Sequence, residues 1–441
     1  MKRIILLYAF VQMIQLNVKA QMVSDSVFMG PSYRNEVYYS LQKGMVDTVE
    51  IKTWDLAFST VGSFDQQFFT IQANHSNGVR VYKYPKSDIT GWAAFDTTGW
   101  QGWRNLWNTD TSWSHGAFNL NPENHPVYSW GTYTNSGEIT GDSLYLIGYA
   151  SSTNPVPTTF KKLWIVQRKS SSGVRTWEFR YANLNGTADT TITLNDAQYA
   201  NKYFAYYNLK TNTALNREPV NTSWDIVFTR YFGAQNSPTT PYYQVTGVLQ
   251  NRKVQVIKET STAVDNMVNP LRDDSRFAAS NMSTIGWNWK ALDANFAYYM
   301  EDSTAFFIKV DSAVANGNVN TKIYKLVFTG FAGSSTGKVA FGKKLISNFT
   351  TSVNELATKN INITAFPNPV SQTLTVLFDT ENSNEATVSL NDVTGKNVML
   401  KTITAKGFSK YELDVTSLTK GVYILNVNTE NARGVQKIIV D

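Results

Sequence analysis

The sequence Thr53-Trp54-Asp55-Leu56-Ala57-Phe58 occurs a second time, almost unchanged, as Ser223-Trp224-Asp225-Ile226-Val227-Phe228. In each copy, large apolar residues alternate with other residues, which is the period-two pattern of a strand with one buried face. Aspartate is uncommon in strands. We therefore expect the repeated aspartate to accept hydrogen bonds from nearby backbone N–H groups, with catalysis as the weaker alternative.

Length and composition limit the class of protein. A chain of 441 residues exceeds one ordinary core and predicts two or three domains. The 42% hydrophobic and 17% charged content excludes wholesale disorder, and the 13% aromatic content favours β-structure. The absence of cysteine excludes disulfides and thiolate sites. A net charge of +6 without a long basic run predicts no nucleic-acid partner.

The N-terminus has the pattern of a secretory signal peptide over residues 1–20. Lys2 and Arg3 precede an apolar run at 4–16, and Val18-Lys19-Ala20 is a small-x-small cleavage signal. This run is too short for a transmembrane helix, and no later segment reaches about 18 uninterrupted apolar residues. We predict an exported chain whose mature residues 21–36 form a flexible lead-in.

From about residue 202 the chain begins a second copy of its own pattern. Aromatic strands at 37–41 and 203–209 each precede a Trp-Asp strand. Later matches in the same order are Gly99-Trp100 with Gly286-Trp287, Ser143-Leu144-Tyr145 with Thr304-Ala305-Phe306, Lys162-Leu163-Trp164 with Lys322-Ile323-Tyr324, and Gly173…Phe179 with Gly337…Phe341. This order predicts a tandem duplication, with β-domains at 37–195 and 202–346.

The two copies differ most at an insertion in the first, over residues 107–140. Insertions on a scaffold usually lie in surface loops, where binding residues concentrate. Candidate ligand-binding residues are therefore the two histidines and the unrepeated tryptophans of this segment, namely His115, His125, Trp107, Trp113 and Trp130. Trp100 and Trp103 recur as Trp287 and Trp289, which predicts a structural role for that pair.

After a polar linker at 347–359, residues 360–441 predict a small β-sandwich, because short strands alternate with turn signals every eight to twelve residues. Pro367-Asn368-Pro369, Gly395-Lys396-Asn397-Val398, Gly421-Val422-Tyr423 after Leu418, and a lysine-led last strand resemble the type A C-terminal sorting domain of the type IX secretion system. The resemblance implies the type IX machinery as a partner, and a secreted or outer cell-surface location with membrane contact by anchoring only.

Residues 37–345 resemble the HmuY family of secreted haem-binding proteins. The matching features are the aromatic strand, the Trp-Asp-[Leu/Ile]-x-Phe strand and the Lys-Ile-Tyr-Lys-Leu-Val-Phe…Gly-Lys-Val-Ala-Phe ending at 322–341. The expected fold is therefore all-β, with two tandem β-rich HmuY-like domains plus a small C-terminal β-sandwich. The resemblance implies haem or a related porphyrin as the ligand.

Haem held by two side chains requires donor atoms on opposite faces of the ring, inside an apolar slot. His115 and His125 are the candidate pair in the first copy. The second copy contains no histidine and would have to use methionines such as Met267, Met282 or Met300. His75 lies beside an Asn/Ser/Gly turn, and we expect it to be exposed.

Two alternatives stay open at this point. Tryptophans on a secreted β-domain also stack on sugars, so a carbohydrate- or host-surface-binding adhesin without haem is the rival function. The common nucleophilic and metal-hydrolytic motifs are missing, so we expect a binding protein rather than an enzyme, although a glycosidase with two distant carboxylates fits the sequence. Metal ligands stay unassigned, and Asp273-Asp274 predicts a solvated loop or a weak Ca²⁺ contact.

Overall fold

A computed structural model shows an all-β protein. It describes residues 22–60, 69–119, 127–134, 138–151, 153–171, 174–199, 201–235, 242–260, 262–313, 319–351, 359–360, 363–379, 385–404, 408–429 and 432–441. In these ranges strands are joined by turns and short 3-10 helices, and no helix is long and apolar enough to cross a membrane. The chain forms two compact units, residues 22–311 with 321–349 and residues 312–320 with 350–441.

The first 23 strands, which build the larger unit, are β1 Val23–Phe28, β2 Asn35–Ser40, β3 Gly44–Glu50, β4 Leu56–Ser59, β5 Ile71–Ala73, β6 Val79–Lys83, β7 Asn105–Leu106, β8 Gly131–Thr134, β9 Glu138–Gly141, β10 Leu144–Tyr149, β11 Thr159–Ser171, β12 Val174–Asn183, β13 Thr190–Asn195, β14 Phe204–Asn208, β15 Thr213–Leu215, β16 Ile226–Ala234, β17 Tyr242–Gln250, β18 Val254–Glu259, β19 Lys290–Leu292, β20 Tyr298–Met300, β21 Ala305–Ala313, β22 Val319–Phe331 and β23 Lys338–Thr351. The 3-10 helices are Pro31–Tyr33, Ile51–Thr53, His75–Asn77, Ile89–Trp92, Trp100–Gly102, Asp196–Tyr199, Val264–Asn266, Ser275–Ala279 and Gly333–Ser335.

The first half of the larger unit consists of β4 to β15. Its small sheet has the order β15-β14-β4-β5, and its large sheet runs β13-β12-β11-β10-β6-β7, with the β8–β9 hairpin paired to β11. The alternating residues of these strands enclose one apolar core, in which the Phe58 ring stacks on Phe179 at 4.7 Å.

The second half consists of β1 to β3 and β16 to β23. Its small sheet has the order β17-β16-β2-β3, and its large sheet runs β1-β23-β22-β21-β18. The core between these strands repeats the arrangement of the first, since the Phe228 ring stacks on Phe341 at 5.6 Å. The β19–β20 hairpin forms a separate two-stranded sheet.

Each Trp-Asp strand pairs with the aromatic strand that belongs to the other sequence copy. β4 pairs with β14, and β16 pairs with β2. Trp54 therefore packs edge-on against Tyr206 at 5.0 Å, and Trp224 packs edge-on against Tyr38 at 5.1 Å. The hydrogen-bonded sheets thus cross the boundary between the sequence copies, and the N-terminal strands complete the second half.

The repeated aspartates stabilise this exchange of strands between the two sequence copies. Asp55 Oδ2 accepts a hydrogen bond from the Leu209 N–H at 2.8 Å, and Asp225 Oδ2 accepts one from the Leu41 N–H at 2.7 Å. The Asp55 side chain is buried and that of Asp225 is half-buried. Desolvation raises the pKa of each carboxyl group above its usual value, while these hydrogen bonds oppose the rise. The predicted structural role of Asp55 is confirmed, and Asp225 has the same role.

Other expectations need correction. The predicted lead-in contains β1, whose residues pair with β23 from Val23↔Lys343 to Phe28↔Lys338, because alternate side chains such as Val27 enter the second core. The tryptophan matches also differ in position. Trp103 packs with Tyr84 on the sheet face opposite the first core, whereas Trp289 stacks on Phe328 inside the second core.

The smaller unit has two sheets around its own apolar core. Its strands are β24 Lys359–Asn360, β25 Ile363–Phe366, β26 Thr373–Asp379, β27 Glu385–Asp392, β28 Asn397–Thr404, β29 Phe408–Asp414, β30 Gly421–Asn428 and β31 Ala432–Val440. The orders are β24-β31-β30-β27-β28 and β25-β26-β29. Asn368 connects the start of this unit to its last strand, donating to the Lys437 carbonyl and accepting from the Ile439 N–H, each at 2.8 Å.

Candidate functional site

Trp130, one of the predicted ligand-binding residues, lies inside the first core. Its side chain has no solvent exposure, and its ring is 5.3 Å from that of Trp177. The indole N–H donates to the Phe69 carbonyl at 3.0 Å. Because both the ring face and its polar atom are used within the protein, this residue packs the core and offers no surface to a ligand.

Trp107 and Trp113 lie at the seam, which we define as the contact between the two halves. The Trp113 indole N–H donates to the carbonyl of Gln250 at 2.7 Å, and its ring is 6.4 Å from that of Trp224. The Trp107 ring stacks on Tyr242 at 5.0 Å. Each tryptophan comes from the first half and contacts the second, so both serve to join the halves.

His115 lies near the same seam, in a turn in which its carbonyl accepts a hydrogen bond from the Thr109 N–H at 3.1 Å. The side chain is half-buried, and burial lowers its pKa, which favours the neutral imidazole. His125, the other member of the predicted pair, lies outside the described residues. The geometry of that pair stays a prediction.

His75 is buried rather than exposed, so that expectation was wrong. Its Nδ1 is 2.9 Å from the Val79 carbonyl oxygen, and its Nε2 accepts from the Asn108 N–H at 3.2 Å. These partners assign the ring as neutral with its proton on Nδ1, and burial lowers its pKa to about 3. The ring also lies 4.7 Å from that of Trp107. With both nitrogens bonded, His75 has no free atom for a metal or haem iron.

The methionines considered for the second copy have different surroundings. Met267 is buried with Phe277 against the second large sheet, and Met282 is buried at the seam. Both pack as ordinary core residues. Met300 is half-buried on the β19–β20 hairpin.

A cavity of about 90 Å³ lies at the seam beside Trp54. The Trp54 indole N–H and the Tyr231 hydroxyl, both buried there, have no hydrogen-bond partner among the described residues. Glu36, on the same wall, bonds to Arg217 at 3.0 Å. This volume accommodates several water molecules, which would satisfy such polar atoms.

An exposed aromatic surface lies elsewhere, around the β19–β20 hairpin of the second half. Tyr298 and Tyr299 are 41% and 44% exposed, and Phe296 at the hairpin tip is 83% exposed. A cleft of about 650 Å³ adjoins the hairpin. Its lining consists of Ala263, Val264, Asp265, Tyr298, Tyr299, Met300, Glu301, Asp302, Val327, Phe328, Thr329 and Gly330. We call this site the hairpin cleft.

The difference in length between the two copies pointed to the insertion in the first, whereas this cleft lies in the second. The signal was nonetheless present. Leu292 and Tyr298 flank a short Asp293–Ala297 turn, and adjacent aromatics on a three-residue strand leave one ring on each face. Asp293 Oδ1 accepts from the N–H groups of Asn295 and Ala297, each at 2.8 Å, which fixes the tip.

No metal site is visible at these positions. Asp273 is paired with Arg272 at 2.9 Å, and Asp274 with Arg276 at 2.8 Å. Both carboxylates are therefore held by neighbouring guanidinium groups in an exposed loop. Across the described ranges, no group of three or more His, Cys, Asp or Glu residues is placed to hold a metal ion.

Residues 364–441 match the secretion system C-terminal sorting domain. The match covers the smaller unit from β25 onwards, in agreement with its predicted role, and identifies it as a type IX sorting domain. The protein is thus exported to the outside of the cell, where it is secreted or held at the surface, and the sorting domain interacts with the type IX secretion machinery. No curated protein matches the chain.

Proposed function

We propose that the larger unit is a carbohydrate-binding adhesin delivered to the cell exterior by its sorting domain. The observation that carries this proposal is the exposed aromatic surface of the hairpin cleft. Planar rings stack on the apolar C–H faces of sugars, and exposed clusters of such rings on soluble proteins usually mark interaction sites. The proposal moves the glycan site from the first copy, where the tryptophans are packed, to the second.

The lining of the cleft fits binding by stacking and hydrogen bonds. Tyr298 rests edge-on against Phe331 at 4.7 Å, which holds its ring in place while leaving part of it exposed. Glu301 and Asp302 supply oxygens that accept hydrogen bonds from sugar hydroxyls. Both carboxylates are exposed, whereas the general acid of a glycosidase lies in a desolvated pocket, so we propose binding without hydrolysis.

A glycan array with the mature chain tests this function. Tyr299→Ala removes one exposed ring and should raise the Kd for a bound glycan about tenfold, which corresponds to about 1.4 kcal/mol. Tyr243→Ala is the matched control, because Tyr243 is equally an exposed tyrosine on a strand but does not line the cleft. Equal losses in the two variants, or binding to no glycan, would contradict the proposal.

As a second proposal, the larger unit is related to the HmuY family and binds haem. One observation favours this proposal. The pKa of His115 is lowered by partial burial, and haem iron binds the neutral imidazole. Titration of the mature chain with haemin, followed at the Soret band, tests it. A shift that disappears in both His115→Ala and His125→Ala supports the bis-histidine arrangement, and a shift unchanged in either variant contradicts it.

A further inference from the structure

The hairpin cleft carries an unbalanced charge. Asp265, Glu301 and Asp302 all contribute to its lining, and no lysine, arginine or histidine is among the lining residues. None of these three carboxylates forms an ion pair with another described residue. The cleft is therefore an aromatic surface bordered by carboxylates that are not paired with a basic side chain of the described residues.

Lys325 lies near enough to Asp265 for their charges to interact, but its ammonium group is bonded elsewhere. Its ammonium group donates a hydrogen bond to the Val264 carbonyl, and its side chain is buried behind the lining. Burial lowers the pKa of Lys325, while Asp265 opposes that change. Because this amine already has a backbone partner and does not line the cleft, it does not offer an acidic ligand a counter-charge there.

We infer that the hairpin cleft selects uncharged glycans and rejects glycans that carry carboxylate or sulfate groups, an inference that rests on the proposed function. Ionised carboxylates only accept hydrogen bonds, so they require ligands rich in hydroxyl donors. A neutral oligosaccharide supplies those donors on its ring edges and an apolar ring face for the exposed ring of Tyr299. An anionic sugar would bring like charge into the same space.

The size of the cleft sets the length of the ligand. Its volume of about 650 Å³ lies within the range of ordinary ligand pockets, about 300–1,000 Å³, and suits a ligand of two or three sugar rings. One short segment of the chain contributes Tyr298, Tyr299, Glu301 and Asp302 to the lining of the cleft. A single sugar ring would contact only part of this surface.

The experiment compares two matched ligands on the mature full-length chain. One is a trisaccharide of neutral hexoses chosen from those bound on the array, and the other is the same trisaccharide with one terminal hexose oxidised to its uronic acid. We expect the oxidised ligand to bind at least tenfold more weakly at low salt, with a smaller difference at high salt because charges are then screened. Equal affinity for the two ligands would overturn the inference.

The double variant Glu301→Gln/Asp302→Asn tests whether these side chains cause the selectivity. Amide oxygens accept weaker hydrogen bonds than carboxylates, so the neutral ligand should bind more weakly to the double variant, whereas the oxidised ligand should also lose the like-charge repulsion. The ratio of the two Kd values should therefore fall from about tenfold towards one. Asp273→Asn, in an exposed loop outside the lining, is the control. Unchanged selectivity in the double variant overturns the inference while leaving glycan binding intact, and binding to no glycan by the parent overturns both proposals.

Discussion

The two halves of the larger unit place their corresponding strands in the same order and share one aspartate-to-backbone hydrogen bond, but they use their aromatic residues differently. In the first half Trp130 is in the core, and Trp107 and Trp113 join the halves. In the second half Tyr298 and Tyr299 lie partly in solvent on the β19–β20 hairpin, which has no counterpart among the described residues of the first half. The comparison teaches that aromatic richness alone does not locate a binding surface, because packing and binding use the same residue types.

The halves also differ in how the chain builds them. The strands of the first half run continuously from β4 to β15, whereas the second half needs β1 to β3 from the N-terminus. In the second half, β1 closes one sheet edge and β2 pairs with the central Trp-Asp strand. This difference predicts unequal tolerance of truncation.

Deletion of residues 22–50 should produce the largest effect. Without β1 to β3, the second half loses two strand pairings and the core residues Val27, Val37 and Tyr39, a loss that should exceed the usual domain stability of about 5–15 kcal/mol. Limited proteolysis with mass spectrometry should show rapid cleavage of 224–351 and slower cleavage of 54–215. Deletion of 350–441 is the control, since those residues belong to the other unit. Equal protection of the two halves from proteolysis after deletion of residues 22–50 would contradict the role of β1 to β3 in completing the second half.

The aspartates offer a more local comparison. Asp55→Ala and Asp225→Ala each leave a buried backbone N–H without its acceptor, at a cost of about 1–3 kcal/mol. Asp55 should be the costlier position, because it is fully buried and accepts hydrogen bonds from Asn77 at 3.1 Å and from the Tyr149 hydroxyl at 3.3 Å. Asp225, in contrast, is half-buried and is bonded beyond the backbone by the Ser40 side chain. Urea unfolding measures both, with Asp302→Ala as an exposed control. A larger loss of stability for Asp225→Ala than for Asp55→Ala would contradict this order.

His75 provides the smallest predicted effect, a pH dependence confined to the first half. Its pKa of about 3 in the fold lies below the ordinary 6.5, so its stabilisation is complete above pH 6.5 and is lost as the pH falls toward 3. At pH 5 the loss relative to pH 7 should be about 2 kcal/mol. In His75→Asn this loss disappears, so the stability difference between parent and variant should narrow on acidification.

Urea unfolding at pH 7 and pH 5 makes that comparison. Carboxyl groups whose pKa is raised by desolvation, such as those of Asp55 and Asp225, make the folded state more stable as the pH falls, which is the opposite trend. These groups are present in both parent and variant, so their effect cancels in the stability difference between the two proteins. The control is His115→Asn, since His115 is only half-buried and should show a weaker pH dependence. A parallel pH dependence of parent and His75→Asn would contradict the buried, neutral assignment.

Local patterns were good predictors where each residue's role depends on its neighbours in the chain. The alternation around Trp54 and the turn signals of the sorting domain needed only a period-two strand and turn chemistry. The matches between copies failed at single residues. The sequence pairs Leu163 with Ile323, but the core-facing side chains are Leu163 and Tyr324, because a shift of one residue turns a strand's side chains to the other face.

The sequence by itself determined that this protein is an all-β, exported chain with a type IX sorting domain and two Trp-Asp strands whose aspartates accept backbone hydrogen bonds. Only the tertiary structure decided that the N-terminal strands complete the second half, that His75 is buried and Trp130 is core, and that exposed aromatic rings collect at the hairpin cleft. The physical reason is that strand pairing and burial are set by contacts between residues far apart in the chain. A local pattern predicts that a strand has an apolar face, but not which distant partner will cover it.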